Sequence, residues 1–126
     1  MNYKIVKQRV AFGEKAGKEQ YRVVPITTGT KSFQEIVDEL VRRTAFSSGD
    51  IVGLVTALSD ILCDYLQAGY AVQLGEIGNF RLTFGSRGFD APHNFNAQRD
   101  IQNVRITYLP SKRLRNFDLN FRRIEE

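Results

Sequence analysis

Four arginines, Arg81, Arg87, Arg99 and Arg105, lie in or beside a glycine- and asparagine-rich stretch near the C-terminal third of the chain. Lys112, Arg113 and Arg115 follow within ten residues of the last of them. Guanidinium groups set along an extended ribbon can pair with phosphate oxygens or with acceptors in a narrow groove, which makes a polyanion the natural ligand for this pattern. Phe89, Pro92 and Phe95 stand among these cations with too few apolar neighbours to form a core of their own. Such residues serve either as wedges between stacked bases or as side chains that pack back on the body or on a second copy. His93 sits in the same stretch as a further polar contact.

The chemistry of catalysis finds little material here. His93 is the single histidine and has no serine–acid pattern around it, and one histidine with one cysteine cannot build a structural zinc site. Asp38 and Glu39, adjacent on a helical segment, point to different sides and read as a solvated face. Cys63, flanked by Leu62 and Asp64, reads as a buried or half-buried structural thiol, and a lone cysteine without an internal partner suits a reducing compartment. The glycines of Gly75-Glu76-Ile77-Gly78 are too close for a dinucleotide fingerprint and mark a turn. The expectation is a protein that binds, with no enzymatic activity, no metal, no cofactor and no small-molecule substrate.

Charge is distributed unevenly. Residues 1–31 carry a net +5, residues 32–80 a net −5 and residues 81–126 a net +4, for +4 overall. An acidic middle between basic flanks can present a cationic surface although the total is modest, while solubility alone accounts for a balance of this size equally well. With 126 residues and 42% hydrophobic content the chain is sized for one domain with a core, and its composition excludes wholesale disorder. No apolar run approaches the roughly 20 residues of a membrane-spanning helix, and Met1 to Ile5 shows no apolar secretion signal. A cytoplasmic protein without membrane contact is expected.

The elements that would position the cations can be read from periodicity. Residues 3–12 and 21–26 are rich in β-formers and are separated by a polar, glycine-bounded connection at 13–19, which predicts a hairpin or two adjacent strands. Pro25 lacks a ladder donor and belongs at an edge or strand end. Ser32 with Glu35 has the spacing of a capping box before Phe33, Ile36, Val37, Leu40 and Val41, which predicts a helix to about Arg43. Ser47 with Asp50 repeats that spacing before a second apolar series running from Ile51 to Leu66, and Gly69 is its left-handed stop. Two helices joined this closely form a helical hairpin or a V. Past Tyr70 the period shortens to that of strands at 71–74, 79–84 and 104–109, with Phe80, Leu82 and Phe84 on one face and Asn79, Arg81 and Thr83 on the other. Residues 85–100 read as a loop or projecting arm, Pro110 ends the last of these strands, and the tail to Glu126 holds at most a short final element.

Taken in order, Gly69, Val72, Leu74, Gly78, Asn79, Phe80, Pro110, Leu114 and Phe117 resemble the motif series of the bacterial HU/IHF family of histone-like DNA-binding proteins. The resemblance covers roughly residues 33–123, and the added β-segment at 1–31 looks like that of an extended HU-related subfamily. Glu76-Ile77 stands where the family has Gly-Phe, and Ala91-Pro92-His93-Asn94-Phe95 stands near the family's Arg-Asn-Pro arm tip. The resemblance implies an α+β chain, 1–126 as one HU-like domain, with a β extension at 1–31, a helical hairpin at 32–69, and sheet, projecting β-arm and C-terminal segment at 70–126. It further implies an intertwined homodimer whose shared core would include Leu54, Leu58, Ile61, Leu62, Phe80, Leu82 and Phe117. Two arms would then hold double-stranded DNA through Arg81, Arg87, Pro92, His93, Arg99, Arg105, Lys112, Arg113 and Arg115. Little sequence preference, bending or compaction of the DNA, and a place on the nucleoid go with that picture. The alternative it leaves open is an HU-shaped interaction or scaffold module that has lost duplex binding.

Overall fold

A computed structural model describes residues 1–9, 13 and 17–124. The expected continuation of the first strand through residues 10–12, the middle of the polar connection at 14–16 and the end of the tail at 125–126 lie outside the described residues. The chain divides into two units, residues 1–36 with 118–126 and residues 37–117.

The first unit is a three-stranded sheet. Strand β1 (Asn2–Arg9) pairs antiparallel with β2 (Glu19–Ile26) in a register that sets Asn2 against Ile26 and Arg9 against Glu19. Pro25 occupies the next-to-last position of β2, an edge strand, where its missing N–H costs no interior ladder bond. On the other side β1 pairs in parallel with β6 (Arg122–Arg123), the short element at the chain's end. The Arg122 amide donates to the Met1 carbonyl at 3.1 Å and the Ile124 amide to the Tyr3 carbonyl at 2.8 Å. Strand propensity over two arginines cannot make such an element; pairing with β1 does.

Helix α1 (Phe33–Arg43) begins with the reciprocal cap its sequence predicts: the Ser32 amide donates to Glu35 Oε2 at 3.1 Å, and the Glu35 amide to Ser32 Oγ at 3.2 Å. Near its end Glu39 binds both Arg42 and Arg43, holding its carboxyl below the usual carboxylate range, chiefly through the Arg42 hydrogen bonds. Helix α2 (Ser48–Gln67) repeats the cap with Ser47 and Asp50 at 3.2 Å in each direction. It stops in a Schellman arrangement at Gly69, whose φ of +91° lets its amide reach the Leu66 carbonyl and the Tyr70 amide reach the Tyr65 carbonyl, each at 3.0 Å. The axes of the two helices turn by 118° at the link between them. They therefore make an open V, one of the two arrangements that so short a link allows. The Thr44 side chain donates to the Leu40 carbonyl at 2.7 Å and accepts the Phe46 amide at 3.3 Å, which gives the link local hydrogen bonds of its own. No single helix among the described residues is long and apolar enough to cross a membrane.

Beyond α2 a second three-stranded sheet runs in the order β3 (Val72–Gln73), β4 (Gly78–Ser86), β5 (Ile101–Pro110), antiparallel throughout. α2 packs on β3 and β4. Val72, Phe80 and Tyr108 meet across the three strands, with the last two rings 5.0 Å apart, and Leu82 faces Ile106. Hydrophobic burial nevertheless stays small: among the described residues only Val37, Ile51 and Leu66 are buried apolar side chains. Leu58, Leu62 and Phe80 are half-buried, whereas Leu54 is 56%, Ile61 47% and Phe117 65% exposed, Leu82 is also exposed, and Cys63, expected to be at least half-buried, is exposed as well.

The turn between β3 and β4 depends on Gly78. Its φ is +133°, and a Cβ there would lie 2.3 Å from the Leu109 carbonyl oxygen across the ladder. Gly78→Ala is expected to lower stability by about 1–3 kcal/mol through strain and overpacking. Denaturant unfolding at fixed chain concentration checks this, and an unchanged midpoint would show that the ladder can move aside.

Candidate nucleic-acid interface

Strands β4 and β5 form a long hairpin whose two faces differ in chemistry. Directly paired positions share a face, so Arg81 with Thr107 and Thr83 with Arg105 lie together, opposite the face that carries Phe80, Leu82, Ile106 and Tyr108. Thr83 Oγ1 and Thr107 Oγ1 are 3.0 Å apart and tie this polar face diagonally. No acidic residue occupies it between Asn79 and Thr83 on one strand or between Arg105 and Leu109 on the other. Arg81 is therefore on the face that strand alternation predicts, with Arg105 diagonally across from it on the same face, and both are exposed.

Between Thr83 and Gly85 the register slips, with Arg105 facing Thr83 and Gln102 facing Gly85. The extra residue on β5 includes Asn103, at φ +57° in the left-handed region that asparagine tolerates. A bulge of this kind sharpens the local twist and re-aims the end of the hairpin. That end is the tip, residues 87–100, and the segment expected as a loop or projecting arm holds two short turns of its own. Pro92–Asn94 form a 3-10 turn and Ala97–Asp100 a single helical turn, α3, while the Arg87 amide closes the hairpin on the Asp100 carbonyl at 2.6 Å.

A polar group organises this tip in place of an apolar core. Asp100, 1% exposed, receives Arg99 Nε at 2.9 Å on one carboxylate oxygen, and the Asn96 amide at 2.9 Å and Arg99 Nη2 at 3.2 Å on the other. Arg99 Nη2 also reaches the Asn94 carbonyl at 2.6 Å, and Asn96 caps α3 by accepting the Gln98 amide at 3.0 Å. The Arg99 hydrogen bond, followed by that of Asn96, holds the Asp100 carboxyl below the usual carboxylate range, and the same pairing raises Arg99. Phe89 and Phe95 meet at 5.5 Å on the outside of this network. Pro92 and His93 are exposed on the 3-10 turn, and Arg87 lines a 470 Å³ cavity with Phe89 and Asn94.

The remaining predicted cations sit at the opposite end of the hairpin. Arg113 Nη1 donates to Glu76 Oε2 at 2.8 Å, linking the 3-10 turn Arg113–Arg115 to the β3–β4 turn. The Ser111 hydroxyl binds the Glu76 carbonyl and Tyr108 Oη the Ile77 carbonyl, the latter at 2.6 Å. Lys112 and Arg115 are exposed beside them. The structure thus gathers Arg81 and Arg105 on one face with Arg87 at its far end, binds Arg99 into the tip, and leaves Lys112, Arg113 and Arg115 as a separate group. Asp100 and Glu76 are the residues that sequence reasoning missed. Asn96 as a cap four residues before Asp100 was a legible sign of the first; nothing local marks the second.

Over residues 1–122 the sequence matches the family model described as an HU domain fused to wHTH, Ig, or Glycine-rich motif, HU-HIG. The chain belongs to the HU-HIG family. A solved structure from Bacteroides vulgatus ATCC 8482, described as a "Putative bacterial DNA binding protein", is similar to this HU-HIG chain with a TM-score of 0.59 and 14% identity. The match covers 90% of this chain and 43% of that one, so the chain spans less than half the length of its structural relative. At that identity the likeness is one of fold. No curated protein matches the HU-HIG chain.

The order of the HU-HIG tip should depend on Asp100. Asp100→Asn keeps the side-chain shape but removes the charge that binds Arg99, and is expected to speed hydrogen exchange at the Asn96 and Arg87 amides while α2 stays protected. Acid should do the same to the unaltered chain. A carboxyl depressed by folding lends stability that is present above its unfolded value and is lost as pH falls through the folded one. Unchanged protection in the variant would show that the phenylalanine pair suffices.

Proposed function

We propose that this protein is a homodimeric, non-enzymatic DNA-binding protein that holds duplex DNA between two β-arms with little sequence preference and bends or compacts it. The observation that carries the reading is the β4–β5 hairpin, with its acid-free polar face bearing Arg81 and Arg105 and with Arg87 at the start of its tip. Contacts of this type go to phosphates, which fix position and affinity without reading sequence. The family membership supports the same reading. A bacterial nucleoid is the location it implies.

Dimerisation is supported by the apolar surface that one chain leaves open. Leu54 and Ile61 on α2, Leu82 on β4 and Phe117 are exposed in the single chain, and a second chain would cover them. Folding of residues 37–117 and pairing of two chains would then be coupled events. The tip supports bending in a particular way. Its Phe89–Phe95 pair and Pro92 sit on a pre-folded platform, so a wedge placed against base steps would lose little conformational freedom on docking.

The test is a titration with random-sequence duplex at two salt concentrations. If a dimer neutralises about six to ten phosphates, affinity should fall about 10³- to 10⁵-fold between roughly 50 and 200 mM salt. Replacing Arg81, Arg87 and Arg105 together by alanine should weaken binding and flatten the salt slope by about one for each phosphate no longer neutralised, with the oligomeric state unchanged. Arg99 is left in place because its guanidinium holds the tip together. Equal binding by the triple variant would move the contact surface away from the hairpin. No duplex binding at low salt by an intact dimer would reject the reading in favour of a scaffold module.

A further inference from the structure

The first unit carries a second surface that the duplex reading does not use. Side chains alternate along β1 and β2, so Tyr3, Ile5, Lys7 and Arg9 share one face with their partners Pro25, Val23, Tyr21 and Glu19. The parallel register with β6 adds Arg123 beside Tyr3. Most of this face is open: Tyr21 is 70% and Val23 63% exposed, Ile5 is exposed opposite Val23, and Tyr3 is half-buried. Glu19 is its single acidic residue in the described strands and is paired with Lys7 at 2.8 Å. An apolar strip bounded by tyrosines thus has cations at both ends, Arg123 next to Tyr3 and Lys7 with Arg9 next to Tyr21. From Tyr3 to Arg9 it runs roughly 20 Å at about 3.4 Å per residue.

We propose that this face of the N-terminal sheet is a platform for unpaired nucleotides, a single strand of DNA or RNA. An aromatic ring standing on an open sheet offers its face to a base, and base–aromatic stacking is tolerant of sequence. Bases in a duplex already stack on one another through both faces, so the same rings gain little from a double helix. The branched side chains of Ile5 and Val23 suit the base and sugar between two stacking positions, and the terminal cations suit the backbone on either side. Charge favours this occupant over a protein surface: the face carries Lys7, Arg9 and Arg123 against Glu19, which pairs with Lys7, a net +2. The inference does not rest on the hairpin's duplex contacts, since it uses none of the same residues.

The experiment is fluorescence anisotropy of the full chain with labelled oligothymidylate, oligouridylate and a random duplex, each for the unaltered protein, Tyr21→Ala and Tyr21→Phe. Tyr21 is so exposed that neither change should disturb folding, and circular dichroism verifies it. Single strands should bind the unaltered protein, with the uridylate and thymidylate arms showing which sugar is preferred. Tyr21→Ala should weaken that binding roughly 5- to 150-fold, Tyr21→Phe should restore it, and duplex affinity should stay the same in all three. Failure of duplex binding alone would leave this assignment standing and would count only against the hairpin. Absence of single-strand binding, equal binding by Tyr21→Ala, or parallel loss of duplex and single strand would each overturn it. Loss of self-association in Tyr21→Ala without any single-strand binding would assign the face to a second copy of the chain.

Discussion

Apolar surface in excess of what one chain can cover is the constraint on which the rest depends. Helix α2 alone presents Leu54, Val55, Ile61 and Tyr65 to solvent, while its buried side chains are only Ile51 and Leu66. Fully burying an aliphatic or aromatic side chain contributes about 1.5–3 kcal/mol, so leaving these about half open forgoes several kcal/mol, a large share of a small domain's net stability. The axes of α1 and α2 turn by 118° at their link, where the Thr44 hydroxyl bonds the Leu40 carbonyl and the Ser47–Asp50 cap starts α2. Under the proposed pairing of two chains the open V is the shape that admits a partner.

The hairpin obeys the same division of faces. One side of β4 and β5 is taken up by Phe80, Leu82, Ile106 and Tyr108, which leaves the other free to be polar and, at Arg81 and Arg105, cationic. The bulge at Asn103 separates this regular ladder from the tip, where Asp100 replaces hydrophobic packing as the organising group. A buried carboxylate stripped of its donors is costly, so the Arg99 and Asn96 contacts confine the tip to few arrangements. Arg99 thereby acts on any bound polyanion indirectly, by fixing where Arg87, Pro92 and the phenylalanine pair stand.

Local signals were the legible ones. Ser32 with Glu35 and Ser47 with Asp50 mark both helix starts, Gly69 marks the second stop, and the alternation from Asn79 to Phe84 separates the two faces of β4. Each of these is written within a few consecutive residues, and each is found where the spacing put it. The tip was not legible as a folded element, because its order comes from hydrogen bonds around one carboxylate and too few apolar residues exist to show a period. β6 was legible only as a short element at the tail, since its parallel partner β1 lies at the other end of the chain. The Arg113–Glu76 bridge joins residues 37 positions apart and leaves no mark in either neighbourhood. Of the expected cations, Arg81 and Arg105 could be placed by strand alternation, whereas the pairing of Arg99 with Asp100 required the geometry of the tip.

Sedimentation equilibrium of the full chain over a wide concentration range, read together with the thermal midpoint at each concentration, tests the central claim most directly. The account predicts a mass of two chains and a midpoint that rises with concentration, because the exposed faces of α2 and β4 are covered only by association. A single-chain mass with a sharp, concentration-independent unfolding transition would contradict it, since the chain would then be stable with its apolar surface in water.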